Sequence, residues 1–365
     1  MSKIVKFMDL KVYDLTERNH LLEVFNRVMD HGQFIMQKEV HNFEEAFSDY
    51  CNRSYCAGVD SGTSALFIAL QAMQIGPGDE VITTSLSWVA TANAIAMTGA
   101  TPVFCDIKDD LNIDPSSVER MITKKTKAIL VVHYTGRVVD IDAFEELSKK
   151  YRIPIVEDAA QAFGSTYRGK TTGSFGLVGC FSMNPMKVLA ACGEAGAIVT
   201  DDSDLYERII ALRYNGTVNK EICIQPSLNG RLDSLQAGIL LEKMKTVNNK
   251  IKKIRSNVLL YNKILPASII PSEENIDHKS SFYSYTVQVE RREELIKYLS
   301  KKNIETKVQH PILMPMQEPY INSPKDDISN AKRIVNKILS LPVNETINKD
   351  QIHYVSDSIE KFYSK

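Results

Sequence analysis

Residues 153–200, IPIVEDAAQAFGSTYRGKTTGSFGLVGCFSMNPMKVLAACGEAGAIVT, decide the fold. The stretch opens on an apolar run, Ile153 to Val156, that carries Pro154 and ends in acids. A short apolar run closed in this way reads as a buried strand. Asp158 falls where that strand runs out. Gly169, Gly173 and Gly176 then space a turn region, and Gly179 to Met183 forms a second short apolar run. Lys187 stands alone in an uncharged neighbourhood, NPMKVLAACG, before the strand-like AGAIVT that ends at Thr200.

Upstream, strand-like runs alternate with helical ones. TPVFCDI precedes a helix around Ser116 to Thr123; KAILVVHY precedes a helix from Asp142 to Lys150; the 153–158 run follows. Alternation of this kind requires crossover connections and gives a mainly parallel sheet. Ligands of such sheets gather at the carboxyl ends of strands. Asp106, His133, Asp158 and Ser182 all fall near such ends.

Lys187 and Asp158 admit two readings. A primary amine among apolar neighbours loses its proton easily, because burial disfavours the ammonium, and a neutral amine can attack a carbonyl to form a Schiff base. A carboxylate at a strand end can hold a ring nitrogen in its protonated form. The plainer alternative makes Lys187 a solvated loop residue and Asp158 a helix cap before the alanines. Ser61-Gly62-Thr63-Ser64, between a short strand and a helix from Ala65, is equally open. It is a phosphate cradle at a helix N-terminus or an ordinary capped glycine turn.

The segments EDAAQAFGSTYRGKTTGSFG, CFSMNPMK and GEAGAIVT resemble the signature of the DegT/DnrJ/EryC1/StrS family, the pyridoxal-phosphate-dependent sugar aminotransferases of fold type I. The likeness runs from FIMQKEVHNFEEAF near the start to the LPV pattern and the last helix. It implies an α/β fold: a large domain with a mainly parallel sheet flanked by helices, plus a smaller C-terminal α+β domain. The division it implies is 1–245, with an N-terminal arm, and 246–365.

The resemblance also implies roles. Lys187 would carry the cofactor, pyridoxal 5'-phosphate, and act as the general base. Asp158 would pair with the ring nitrogen, Gln161 with the phenolic oxygen, and Trp88 would stack on the ring. Gly62, Thr63, Ser64 and Ser182 would hold the phosphate, with Asn229 reaching it from the partner subunit. His133 would stand behind these groups rather than touch the cofactor. A site shared in this way implies a homodimer. In the family's dehydratases a histidine replaces the lysine, so Lys187 favours amino transfer. The implied reaction moves an amino group from an amino acid, L-glutamate in most relatives, to a nucleotide-linked keto-sugar. Ser227 and Leu228 stand where the family has glycine and tyrosine ahead of Asn229 and Arg231, and Gly136-Arg137-Val138-Val139-Asp140 follows the histidine. These departures leave room for a small phosphorylated ketone such as dihydroxyacetone phosphate as acceptor. A chain with the cofactor fold that regulates or scaffolds without catalysing is an expectation of another class.

Composition agrees with such an enzyme. The chain has 365 residues, and 44 Lys and Arg against 45 Asp and Glu leave it almost neutral, which gives no footing for nucleic acid or an anionic membrane. The first residues lack a signal-peptide apolar stretch, and no run reaches transmembrane length. The six cysteines form no CxxC pair and have no zinc-spaced histidine, so reduced thiols, no metal and a cytoplasmic setting are expected. The second half reads as a long helix from Leu235 toward Tyr261, a strand SFYSYTVQV, a helix, a second strand IETKVQH and a final helix from Lys349 to Tyr363.

Overall fold

The apolar runs between residues 55 and 200 become one seven-stranded sheet. The structure, a computed structural model, describes residues 4–271, 274 and 277–364. The first three residues of the expected arm and the last residue of the chain therefore lie outside the described residues. In chain order the first strands are β1 (Tyr55–Val59), β2 (Glu80–Thr84), β3 (Thr101–Cys105), β4 (Thr126–Val132) and β5 (Ile155–Asp158). The two-residue β6 (Thr166–Tyr167) and β7 (Lys170–Thr171) lie outside the large sheet, which resumes with β8 (Val178–Ser182) and β9 (Gly196–Thr200).

The strand order is β1-β9-β8-β5-β4-β2-β3. β3, β2, β4, β5 and β8 run parallel, and β9 is antiparallel to both β8 and β1. The sheet is therefore mainly parallel, as expected, with its reversal at β9. The register sets Val132 beside Asp158 and Asp158 beside Cys180, so the carboxyl ends of β4, β5 and β8 form one ledge.

The first helices are α1 (Leu15–His31), α2 (Lys38–Cys51), α3 (Gly62–Ala72), α4 (Ala90–Met97), α5 (Pro115–Met121), α6 (Ile141–Tyr151) and α7 (Ser203–Arg213). α3 is buried along nearly its whole length and packs with α7 on one sheet face, where Leu66, Ile68 and Leu70 meet Val156, Ile198 and Ile209. Val118, Phe144 and Leu147 cover the other face against Ile129 and Val131. Strands covered on both sides need near-continuous apolar sequence, which explains why β4 and β8 read as unbroken runs rather than as alternation. α1 differs. Val24 and Val28 are buried, but Leu15, Leu22, Phe25 and Met29 of the same helix are exposed.

Beyond a small hairpin, β10 (Thr217–Val218) and β11 (Ile222–Cys223), the expected long helix is two: α8 (Ser234–Met244) and α9 (Val247–Ile264), broken at Lys245 and Thr246. The chain ends with β12 (His278–Lys279), β13 (Tyr285–Gln288), α10 (Arg292–Lys301), α11 (Ser329–Val335), β14 (Ile338–Leu341) and α12 (Lys349–Tyr363). IETKVQH is not a strand. Only Ile304 and Lys307 bridge, to Val5 and Ser340, and His310 turns into left-handed backbone at φ 51°. The partner of β13 is β14 instead. A second core gathers Ile254, Tyr261, Tyr285, Leu299, Leu339 and Ile359 around Val5 of the arm. Between the two cores, Leu313, Ile328 and Ile334 pack against Leu86, Ile107 and Tyr134.

Candidate active site

Asp158 is the last residue of β5, and its side chain is buried. One carboxylate oxygen accepts from the Thr91 hydroxyl at 2.8 Å, and the other accepts from the Ala160 amide at 3.1 Å. Thr91, in the first turn of α4, is in turn 3.1 Å from the Ser87 hydroxyl. The Thr91 proton goes to Asp158, so Ser87 donates to Thr91. Burial raises the Asp158 pKa, against the pull of Thr91, Ala160 and the Lys187 charge. A buried carboxyl with this little compensation gains from a cationic partner.

Lys187 lies on the turn that leaves β8, where its amide bonds the Asn184 carbonyl at 2.8 Å. Its Nζ sits 4.4 Å from the centroid of the Tyr283 ring. Burial lowers its pKa to about 8; the charge of Asp158 opposes that shift and that of Lys307 adds to it. The amine is therefore within reach of the neutral, nucleophilic form near physiological pH.

The α3 N-terminus faces the end of β8. Ser61 is its cap, accepting from the Ser64 amide at 3.1 Å, and this draws the helix start back to Gly62 from the expected Ala65. With Ser64 used in this way, no acceptor among the described residues takes the Gly62 or Thr63 amide, and Thr63 is exposed. A Cβ at Gly62 would stand 2.5 Å from Ser182 Cβ, so glycine is what lets the helix end close on that serine. The Ser182 hydroxyl has no hydrogen-bond partner among the described residues, and the residue is half-buried. Two unclaimed amides, a helix dipole and a free hydroxyl are groups of the kind that could hold an anion.

Gln161 is buried just past β5. Its carboxamide oxygen accepts from the Thr135 amide at 2.9 Å, which leaves its NH2 group to serve another acceptor. Trp88 is 61% exposed, and its ring lies 5.9 Å from that of His310. Asn229 is on the exposed rim; its side-chain oxygen accepts from Arg231 Nε at 2.6 Å, and it makes no bond to the Lys187 and Asp158 cluster. The structure thus brings Lys187, Asp158, Gln161, Ser182 and the α3 amides to one ledge, with Trp88 at its mouth and Asn229 outside it.

Two strand-end residues turn elsewhere. Asp106 accepts from the Asn330 and Ala331 amides at 3.0 and 2.8 Å and so anchors α11. His133 is buried behind the ledge, with Nε2 at 2.9 Å from Glu157. Its Nδ1 accepts from the Val139 amide at 3.3 Å, so Nε2 carries the proton and donates it. Burial would raise the Glu157 pKa, but this donor and the Gly173, Phe175 and Gly176 amides, each at 2.7 Å, hold it low. That carboxylate ties the glycine-rich loop of residues 173–176 beneath β5. Sequence reasoning missed Thr91 and His310. His310 Nδ1 is 3.1 Å from the Tyr134 hydroxyl, and burial followed by the charges of Lys187 and Lys307 takes its pKa down to about 3.

A planar aldehyde with a ring nitrogen and a phosphate arm fits this set of donors. The buried carboxyl suits the ring nitrogen, the depressed amine suits the aldehyde, and the Gly62 cradle suits the phosphate.

The family model described as the DegT/DnrJ/EryC1/StrS aminotransferase family matches residues 16–360. A dTDP-3-amino-3,6-dideoxy-alpha-D-galactopyranose transaminase of Aneurinibacillus thermoaerophilus is 34% identical over 98% of this chain and 99% of its own. A dTDP-3-amino-3,4,6-trideoxy-alpha-D-glucose transaminase of Streptomyces venezuelae is 35% identical over 98% and 96%. A pleiotropic regulatory protein of Geobacillus stearothermophilus is 33% identical over 98% and 99%. Among solved structures, S. venezuelae DesV in complex with a ketimine intermediate superposes with a TM-score of 0.95, at 34% identity and 99% coverage of both chains.

Proposed function

This chain belongs to the DegT/DnrJ/EryC1/StrS aminotransferase family and is an aminotransferase, and from that premise we propose that it moves an amino group from L-glutamate to the ketone of a nucleotide-linked sugar, using pyridoxal 5'-phosphate. The observation that carries the reading is a half-buried lysine of lowered pKa that feels the charge of a buried carboxyl, beside a helix N-terminus that glycine lets close on Ser182. The acceptor class follows the relatives, whose names specify dTDP- or UDP-linked amino sugars.

When bound, the cofactor supplies an aldehyde and an electron-withdrawing ring. Asp158, fixed by Thr91 and Ala160, would hold the ring nitrogen in its protonated form, Gln161 would offer its free NH2 to the ring's oxygen, and Trp88 would supply an aromatic surface for the ring. Gly62, Thr63 and Ser64 present the α3 N-terminus to the phosphate, Ser182 adds its hydroxyl, and the partner's copy of Asn229 completes the cradle. Lys187 would hold the aldehyde, and its Nζ, of lowered pKa, would be the base that moves the proton of the donor's α-carbon.

A homodimer is part of this reading. Leu15, Leu22, Phe25 and Met29 leave an apolar face open on α1, and Asn229 is unused within its own chain's site. Residues 1–245 are proposed as the cofactor-binding unit and 246–365 as the smaller one, the two sharing the seam around Tyr134 and Ile334. Among the described residues no helix is long and apolar enough to cross a membrane; the proposed setting is the cytoplasm.

The test is spectroscopic and catalytic. Purified protein with pyridoxal phosphate should show a visible absorbance band that L-glutamate bleaches, and keto-sugar nucleotides should then restore it with 2-oxoglutarate formed once per turnover. Lys187→Ala should lack the covalent band and turn over at background rate. Restoration by dihydroxyacetone phosphate alone would shift the acceptor to a small ketone, and full turnover by Lys187→Ala would sink the mechanism.

A further inference from the structure

We infer that His310 reads a hydroxyl on the carbon next to the reacting ketone, by offering that hydroxyl the bare Nε2 of a neutral imidazole. The inference rests on the keto-sugar reading above.

The protonation follows from counting hydrogens. The Tyr134 hydroxyl has one proton and lies 3.2 Å from the Gln309 carbonyl, which can only accept. That proton is therefore committed to the carbonyl. His310 Nδ1, 3.1 Å from the same phenol oxygen, must then donate to it. A neutral imidazole has one N–H, so Nε2 is a pure acceptor, and among the described residues the one side-chain bond of the His310 ring is that of Nδ1 to Tyr134. A charged ring would restore a second N–H, but burial first, and then the charges of Lys187 and Lys307, oppose a cation there.

Position places this acceptor beside the chemistry. The His310 ring stands between those of Trp88 and Tyr134, with centroids 5.9 and 5.6 Å away. Nδ1 is engaged on Tyr134, so Nε2 is the free nitrogen of a ring that neighbours Trp88 and feels the charge of Lys187. The backbone supports a ligand-directed role. His310 is held at φ 51° directly before Pro311, a left-handed conformation that a non-glycine residue before proline rarely takes. The buried Gln309 and the Tyr134 bond over-determine it.

An acceptor with no proton to give selects its ligand. It binds O–H or N–H and repels the lone pairs of a carboxylate or phosphate. The printed names of two relatives differ at this chemistry. The 3,6-dideoxygalactose carries a hydroxyl at C4, beside the C3 nitrogen, and the 3,4,6-trideoxyglucose has none. A site built to pair a hydroxyl discriminates against the analogue that lacks it, because its own acceptor is left unpaired.

The experiment runs the holoenzyme in reverse, with 2-oxoglutarate and each of the two dTDP-amino sugars, and measures kcat and KM separately. The wild type should favour the C4-hydroxylated sugar by about tenfold or more in kcat/KM, mainly through KM. His310→Phe should bring the ratio close to one. His310→Gln, whose carboxamide oxygen can still accept, should keep part of it. A structural role alone would weaken both sugars alike and leave the ratio intact, and that result overturns the inference. So does a wild-type ratio near one, which needs no variant to fold. Silence of the wild type toward both sugars, while glutamate still bleaches the band, removes the dTDP-sugar reading and this inference together. Turnover with an unmoved ratio removes only the inference.

Discussion

Lys187 is placed by two opposing effects, and their balance has a pH signature. Burial pushes its pKa down from 10.5 to about 8, more than Asp158 pulls it back. In cofactor-free protein, acylation of Lys187 by a small activated ester, read by peptide mass spectrometry, should follow a titration with its midpoint near pH 8. Surface lysines should continue to gain reactivity well above that. Linkage fixes the sign for stability. Between the folded pKa near 8 and the ordinary 10.5, the unfolded chain binds the extra proton, so this residue's contribution to stability rises with pH across that window. A midpoint near 10.5 would mean that the amine is solvated. The lysine and the acid could be singled out in the sequence because each follows a short apolar run, but the runs left two readings open and only the family resemblance gave them roles. Thr91 and His310 could not be singled out. Thr91 matters through a bond to a residue 67 positions away, and His310 through a phenol 176 positions away, and no local pattern carries either.

At the scale of the element, the α3 N-terminus depends on one missing methyl group. Gly62→Ala sets a Cβ 2.5 Å from Ser182 Cβ and 3.1 Å from its Cα, so the helix end must lift away from β8. Overpacking of this kind costs about 1–3 kcal/mol. A lowered melting temperature and weaker retention of pyridoxal phosphate are expected, and Ser182→Gly in the same chain should recover part of the stability by removing the colliding atom. An unchanged melting temperature in Gly62→Ala would show that the helix end is not pinned there. Elements were largely readable where apolar runs had both faces to bury, as in β4 and β8. They were misread where tertiary contacts decide. The Ser61 cap starts α3 before the apolar residues do. The helix expected from Leu235 breaks at Lys245 with no glycine or proline to announce it. IETKVQH has the composition of a strand, but Val5 and Ser340 each take one residue and His310 bends the rest away.

At the scale of the whole molecule, the exposed apolar face of α1 and the rim residue Asn229, bonded to Arg231 but not to the Lys187 and Asp158 cluster, both point to a second subunit. If Asn229 serves the partner's phosphate cradle, subunits carrying Lys187→Ala and Asn229→Asp should complement. Each alone would be inactive or weak. In a mixed dimer, one site has an intact lysine and takes its asparagine from the other chain, so up to half of the sites in each mixed dimer should recover. Failure to complement, with dimers confirmed by sedimentation, would place Asn229 in its own chain's site. The mainly parallel sheet could be read from the alternation of apolar runs and helices, and the final helix was expected where α12 lies. The sequence did not show the seam where Leu313 and Ile334 join Leu86 and Tyr134, because the residues that meet there are 179 to 248 positions apart in the chain.

Trp88 has one more consequence. It is the chain's single indole, it is 61% exposed, and it stands at the mouth of the ledge. Ultraviolet emission excited at the red edge, where tyrosines do not absorb, therefore comes from one known place with no contribution from the interior. A chromophore settling against that ring would dim it by energy transfer, and the loss of solvent would shift its colour to the blue. The molecule carries its own gauge of occupancy, readable in a cuvette without any added label.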